Sequence, residues 1–211
     1  MDVLLAGATG LVGRECLALL LADDAFARVV AITRRPLPPA PRLESHVVDF
    51  DRLSEHADLF AVDAIICALG TTIKQAGSEE RFRHVDHDYP LTIAKLGLER
   101  GAKRFALVSS LGANADSRVF YNRVKGEVER DVLALAYESI TIVRPSLLLG
   151  DRGELRLGEE IAKRFAWLIP GKYRPVQARA VAAALVRAAK NGAPGRRTIE
   201  SAEIRSGATN N

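Results

Sequence analysis

Short apolar runs rich in β-branched residues alternate along this chain with longer stretches of helical period, and that rhythm admits few folds. Seven runs read as strands: Asp2–Ala6, Arg28–Thr33, Ser45–Asp49, Ala64–Ala68, Arg104–Ser109, Ser139–Val143 and Arg197–Glu200. Between them Leu11–Ala22, Glu79–Arg100, Tyr121–Tyr137 and Ala178–Lys190 repeat Leu, Val and Ala on one helical face. Strands that alternate with helices form βαβ units, in which each helix crosses over to a neighbouring parallel strand. The expected fold is therefore α/β: a three-layer, doubly wound parallel sheet. The segment from Arg35 to Pro41 carries four prolines, which lack backbone donors, so it reads as a stiff surface connection rather than a domain linker. No internal repeat is visible beyond the βα rhythm.

With 211 residues the chain is expected to form one domain over 1–211, and residues 206–211 read as a loose tail. Charged residues make up 27% and the formal net charge is +4, with the two signs interspersed. No basic arm for nucleic acid is present, and none of the apolar runs is long enough for a membrane span. An acid at Asp2 and a glycine at Gly7 are unlike a secretory signal, so the expected location is the cytoplasm. Cys16 and Cys67 are too few for a disulfide framework and read as buried thiols. His84 and His87 could share a helical face, but no zinc signature accompanies them, so no metal is expected.

The first strand runs directly into Gly7-Ala8-Thr9-Gly10-Leu11-Val12-Gly13 and then into a helix. One glycine lets the chain turn off the strand, another lets backbone approach a pyrophosphate, and a third lets helix and strand pack closely. The helix start adds free N–H groups and a partial positive charge. The pattern therefore reads as the dinucleotide-binding loop expected of a Rossmann fold. Its Gly-x-x-Gly-x-x-Gly spacing resembles that of the extended and atypical short-chain dehydrogenase/reductases. About 20 residues beyond the glycines an NAD site carries an acid for the ribose 2′-hydroxyl, whereas NADP needs a cation for the 2′-phosphate. Thr33-Arg34-Arg35 stands there, and guanidinium forks suit phosphate, so NADP(H) is expected in preference to NAD(H).

Ser109-Ser110 ends the fifth strand, and Tyr121 and Lys125 follow four residues apart on one helical face. A lysine so placed can stabilise a phenolate, and the tyrosine can then exchange a proton with a substrate oxygen. In this reading Tyr121 is the acid, Ser110 holds the carbonyl oxygen, and Lys125 also contacts the nicotinamide ribose.

Together with Glu129, these residues resemble the Tyr-x-x-x-Lys-x-x-x-Glu of atypical family members, and the likeness extends over nearly the whole chain. Shared features include Leu69-Gly70-Thr71-Thr72, Val85-Asp86-His87-Asp88-Tyr89, Lys125-Gly126-Glu127-Val128-Glu129 and Arg144-Pro145-Ser146. In overall look the chain resembles small atypical members of the family, those related to the Tat-interacting oxidoreductase. The resemblance implies that Asp49 and Phe50 hold adenine. It also implies that Ala68, Leu69, Gly70, Thr71 and Pro145 pass the cofactor, as Gly7, Thr9, Gly10, Leu11, Val12 and Gly13 do at the pyrophosphate. Two departures stand out: Ala6 replaces the threonine many members carry before the first glycine. Asp86 stands near where many have an asparagine of the proton network.

About sixty residues follow Gly150, too few for a nucleotide-sugar domain, which disfavours an epimerase. Residues 151–175 could form a small lid over the substrate, although Phe165 and Trp167 also read as core. The leading expectation is an NADPH-dependent reductase of a small carbonyl compound or quinone, acting as a monomer or homodimer. The rival is a dinucleotide-sensing or partner-binding protein with little turnover, for which Asp86 and the short substrate segment leave room.

Overall fold

The computed structural model describes residues 1–149 and 174–207. Its principal sheet has seven strands, all parallel, in the order β3-β2-β1-β4-β5-β6-β9. These are β1 (Asp2–Ala6), β2 (Arg28–Thr33), β3 (Leu43–Val47), β4 (Ala64–Cys67), β5 (Arg104–Val108), β6 (Ser139–Arg144) and β9 (Gly195–Glu200). A separate parallel pair joins β7 (Leu148–Leu149) to β8 (Val176–Gln177).

Period-two alternation within each buried strand sends side chains to opposite faces, and each face is covered by helices. On one side Val3, Leu5, Val29 and Ala31 pack against Cys16 and Leu20 of α1 (Leu11–Ala22) and Val181 and Leu185 of α6 (Ala178–Asn191). On the other, Leu4, Ala6, Val30 and Ile32 share a core with Ile93 of α4 (Tyr89–Glu99) and Val128 and Val132 of α5 (Phe120–Leu133). The expected three-layer, doubly wound architecture is thus the one observed.

Several boundaries differ from the sequence reading, each for a physical reason. The third strand ends at Val47 rather than Asp49, because Asp49 caps a 3₁₀ segment over Phe50–Phe60, accepting from the Asp51 amide at 3.0 Å. The fourth and fifth strands end one residue early, at Cys67 and Val108. The helix expected over 79–100 is three pieces: α3 (Glu79–Arg83), one π turn (His84–Asp88) and α4, with a short α2 (Ile73–Ala76) before them. The helix expected to reach Tyr137 stops at Leu133, and Tyr137 instead points back into the core, donating to Ala94 O at 2.7 Å. Ser206 and Gly207, expected in a loose tail, close α7 (Ser201–Gly207). Most of the expected lid, residues 151–173, and the end of the tail, 208–211, lie outside the described residues.

Candidate functional site

The turn after β1 is built around two glycines that no other residue could replace without displacing backbone. Gly7 has φ +91°, and a Cβ there would lie 2.6 Å from Ala68 O, just past the end of the neighbouring β4. A Cβ on Gly13 would lie 1.9 Å from Gly7 O, so the first turn of α1 presses directly on the loop. The Gly10 amide donates to Gly7 O at 2.9 Å, and Gly10 caps α1 without a side-chain bond. The amides opening that first turn, those of Leu11 and Val12, have no carbonyl four residues back within the helix. An anion is the natural acceptor for such a set, so these residues fit a dinucleotide pyrophosphate.

Two clefts adjoin the turn at the carboxyl edge of the sheet. The smaller, of about 80 Å³, is lined by Gly7, Thr9, Gly10, Thr33, Arg34 and Phe50, among others. Arg34 is exposed there; Arg35, also exposed, follows it with its carbonyl accepting from Thr33 Oγ1 at 2.7 Å. Neither guanidinium has an ion-pair partner among the described residues. Asp49 is not among the residues lining this cleft, its carboxylate being engaged in the cap, whereas Phe50 is, with its ring 5.4 Å from that of Tyr89.

The larger cleft, of about 600 Å³, gathers most of the remaining expected site, while Gly13 and Arg35 line neither cleft. Leu11 and Val12 come from α1, Ala68, Leu69, Gly70 and Thr71 from the loop after β4, Ser110 from the loop after β5, and Tyr121 and Lys125 from α5. Pro145 does not line it; it is buried, and its carbonyl accepts from the Leu111 amide at 2.8 Å, holding the Ser110 loop against the end of β6. Ser146 and Leu147, just beyond, do line it.

Eight lining residues were not assigned roles from sequence, and three of them bear on the chemistry. Ser109 is buried, and its hydroxyl has no hydrogen-bond partner among the described residues. Thr72 joins the cleft beside Thr71 while capping α2. The third is Asp86, on the π turn. Its side chain is fully buried, Oδ1 lies 2.6 Å from Lys125 Nζ, and Oδ2 accepts from the Thr71 amide at 2.8 Å. The contact with Lys125 is an ion pair without the alignment of a directed hydrogen bond, since Oδ1 has no such donor. Burial alone would depress the Lys125 pKa, but the Asp86 carboxylate, helped by Tyr121, outweighs it and holds the ammonium above its ordinary value. Sequence marked Asp86 as a departure; only the fold brings it to the lysine.

Next to Asp86, the π turn carries a chain of imidazoles and carboxylates. His84 lies 3.0 Å from Asp88 and 2.6 Å from Asp51, and His87 lies 2.7 Å from Asp88 and 3.0 Å from Asp131. Among the described residues no group of three or more His, Cys, Asp or Glu side chains is arranged to hold a metal. Both cysteines are buried, and burial pushes each thiol up to about 12.

A family model described as NAD(P)H-binding matches residues 7–192. The chain belongs to that family. Its relatives include the protein HTATIP2 of Rattus norvegicus, 38% identical over 82% of this chain and 73% of that one. The mitochondrial protein FMP52 of Candida albicans is 34% identical over 92% of this chain and 90% of its own length. Among solved structures, a short-chain dehydrogenase/reductase superfamily protein from Agrobacterium tumefaciens with bound NAD superposes with a TM-score of 0.71. It is 16% identical and matches 95% of this chain and 77% of that one, a likeness of fold. Membership of the NAD(P)H-binding family agrees with the two-glycine turn and the resemblance to atypical short-chain dehydrogenase/reductases. Among the described residues no helix of this member is long and apolar enough to cross a membrane.

Proposed function

We propose that the chain is an NADP(H)-dependent oxidoreductase that reduces a small carbonyl compound or quinone. The observation that carries this reading is the convergence of Ser110, Tyr121 and Lys125 with the first turn of α1 on one cleft. Arg34 and Arg35, exposed and without carboxylate partners among the described residues, would take the 2′-phosphate, which favours NADP(H) over NAD(H). The reduced nicotinamide, when bound, supplies hydride to the substrate carbon.

The chain's own residues manage the oxygen. Ser110 Oγ donates a hydrogen bond to the carbonyl oxygen and orients it. Tyr121 Oη delivers the proton that the oxygen requires as it gains charge. Lys125 faces Tyr121 from one turn further along α5 and would hold the nicotinamide ribose. The reverse proton movement, from an alcohol to Tyr121, accompanies oxidation. Tyr121→Phe should retain NADPH affinity but lower carbonyl turnover by about 100-fold or more, in line with loss of a general acid. NADPH oxidation screened over aldehydes, ketones and quinones reads this directly, and unchanged turnover would remove Tyr121 from the role.

A second reading, a dinucleotide sensor with little turnover, is favoured by one observation: Asp86 already neutralises Lys125. Tight NADPH binding with no turnover of any carbonyl in that screen would select it. The expected partner is a small molecule rather than nucleic acid or membrane, and the expected assembly is a monomer or homodimer. The cytoplasm is retained as the proposed compartment, against relatives whose names include "mitochondrial"; imaging the tagged chain in cells decides between them.

A further inference from the structure

The larger cleft contains charged side chains of both signs, and among the described residues that line it they number two: Lys125 and Asp86. They are partners, 2.6 Å apart, with side-chain exposures of 6% and 0%. The remaining lining groups are hydroxyls, backbone and aliphatic side chains such as Leu11, Leu69, Leu111 and Leu148. Leu147, on the same wall, leaves 61% of its surface exposed. An apolar side chain so exposed beside a cleft favours an apolar occupant.

We infer that Asp86 is a specificity-determining residue: by neutralising Lys125 it makes the cleft select an uncharged, apolar carbonyl compound over an anionic one. This rests on the reductase reading for the identity of the reacting group, but the charge argument stands on the ion pair alone. A lone ammonium in so dry a place would attract a carboxylate or phosphate, because a buried charge gains strongly from a counterion. Here the counterion is part of the fold. Asp86 is fixed from its other oxygen by the Thr71 amide, so it does not swing aside to admit a competing anion. An anionic substrate would meet a carboxylate beside the cation it needs, and would leave its hydration shell without a replacement.

The test uses two probes with the same aldehyde and different charge: 4-formylbenzoate and its methyl ester. Their dissociation constants are measured by calorimetry on the full chain with NADP⁺ bound, and NADPH oxidation is followed separately. The wild-type protein should bind the ester at least about tenfold more tightly than the anion, a modest effect for a charge beside a buried carboxylate. In Asp86→Asn, 4-formylbenzoate would supply the counterion that Lys125 lacks, so the preference should shrink to parity or reverse. Should Asp86→Asn not fold, Lys125→Met, saturated with NADP⁺ and read at pH 9 so that the carboxylate left without its cation ionises, provides the opposite case, and the ester preference should grow severalfold. The double variant Asp86→Asn, Lys125→Met, again neutral, should return to the wild-type preference.

Equal binding of ester and anion to the wild-type protein overturns the inference, as does a preference that none of the variants changes. The reductase reading fails by a different sign: the ester preference stands, yet neither probe is reduced.

Discussion

Under the proposed function the coenzyme is decided at Arg34 and Arg35, because the turn after β1 would grip a pyrophosphate common to both dinucleotides. Only the 2′-phosphate distinguishes them. A charge-assisted hydrogen bond is worth about 1.5–3 kcal/mol, and each 1.4 kcal/mol is a factor of ten. Both arginines are exposed, so screening keeps their joint effect toward the lower end. Arg34→Ala with Arg35→Ala should therefore weaken NADPH by about 10- to 100-fold and leave NADH within about twofold, measured by nicotinamide fluorescence. A parallel loss of both coenzymes would mean that the arginines support the loop rather than read the phosphate. The hydroxyls of Ser109 and Ser110 offer a similar comparison. Ser109 is the more buried and has no partner among the described residues, while Ser110 Oγ makes only a 3.4 Å contact with Leu111 O. Ser110→Ala should lower turnover by about tenfold or more, and a larger loss in Ser109→Ala would transfer the carbonyl contact to Ser109.

At the scale of elements, the π turn His84–Asp88 ties the site to its surroundings. Asp86 reaches Lys125 on α5, while His84 ties the turn to the 3₁₀ segment through Asp51 and His87 ties it to α5 through Asp131. Its hydrogen bonds to Asp88 and then Asp51 hold the His84 pKa above its ordinary 6.5. Hydrogen bonds from Tyr89 and His84 hold Asp51 below 3.8. Burial opposes ionisation of Asp88, but His84 and His87 outweigh it and lower that group too. The raised histidine contributes fully below pH 6.5 and loses its contribution as pH climbs through its folded value. The lowered carboxylates contribute above pH 3.8 and lose theirs as pH falls, so the latch is tightest between about pH 4 and 6.5. All three groups are partly exposed, so the effect is small. His84→Gln should lower Tm by about 2 °C near pH 5.5, and by less at pH 9, in thermal denaturation followed by circular dichroism. A gap that widens with pH would show that His84 acts as a neutral ring.

The elements that sequence revealed are those whose burial imposes a pattern. β1, β2 and β4 are buried on both faces and read as nearly continuous apolar runs, and α1 and α6 face each other with helical spacing. β3 lies at the sheet edge with no buried residue, so its pattern carried no register. Val48, within the expected strand, and Phe50, just after it, are buried by the turn and the 3₁₀ segment instead. The π turn was invisible because a widened turn leaves the apolar spacing on either side nearly intact. The same holds for the site: the glycines and the Tyr121–Lys125 spacing are local and legible. The Asp86–Lys125 pair joins residues 39 apart in the chain and depends on how the π turn meets α5.

Across the whole molecule, the cleft sits where the sheet reverses its winding, between β1 and β4, with β2 and β3 to one side and β5, β6 and β9 to the other. A dinucleotide held by the first turn of α1 and by Lys125 of α5 would bridge both halves, on opposite faces of the sheet. Cofactor binding should therefore raise the stability of both halves together. At one hundred times its dissociation constant a ligand adds about 2.7 kcal/mol, and a protein of this size gains about 2–4 °C in Tm per kcal/mol. NADPH should then raise Tm by about 5–10 °C in scanning calorimetry, with one transition before and after. Gly13→Ala is the control. Its methyl gains about 1 kcal/mol of helix propensity, but it must displace Gly7 O from 1.9 Å, and such overpacking costs about 1–3 kcal/mol. The clash is with backbone that cannot rotate away, so the variant should melt at or below the wild-type temperature and lose most of the NADPH shift. Two transitions, of which NADPH moves only one, would mean that the half containing β1 holds the cofactor alone, and Lys125 would then lose its place in the binding site.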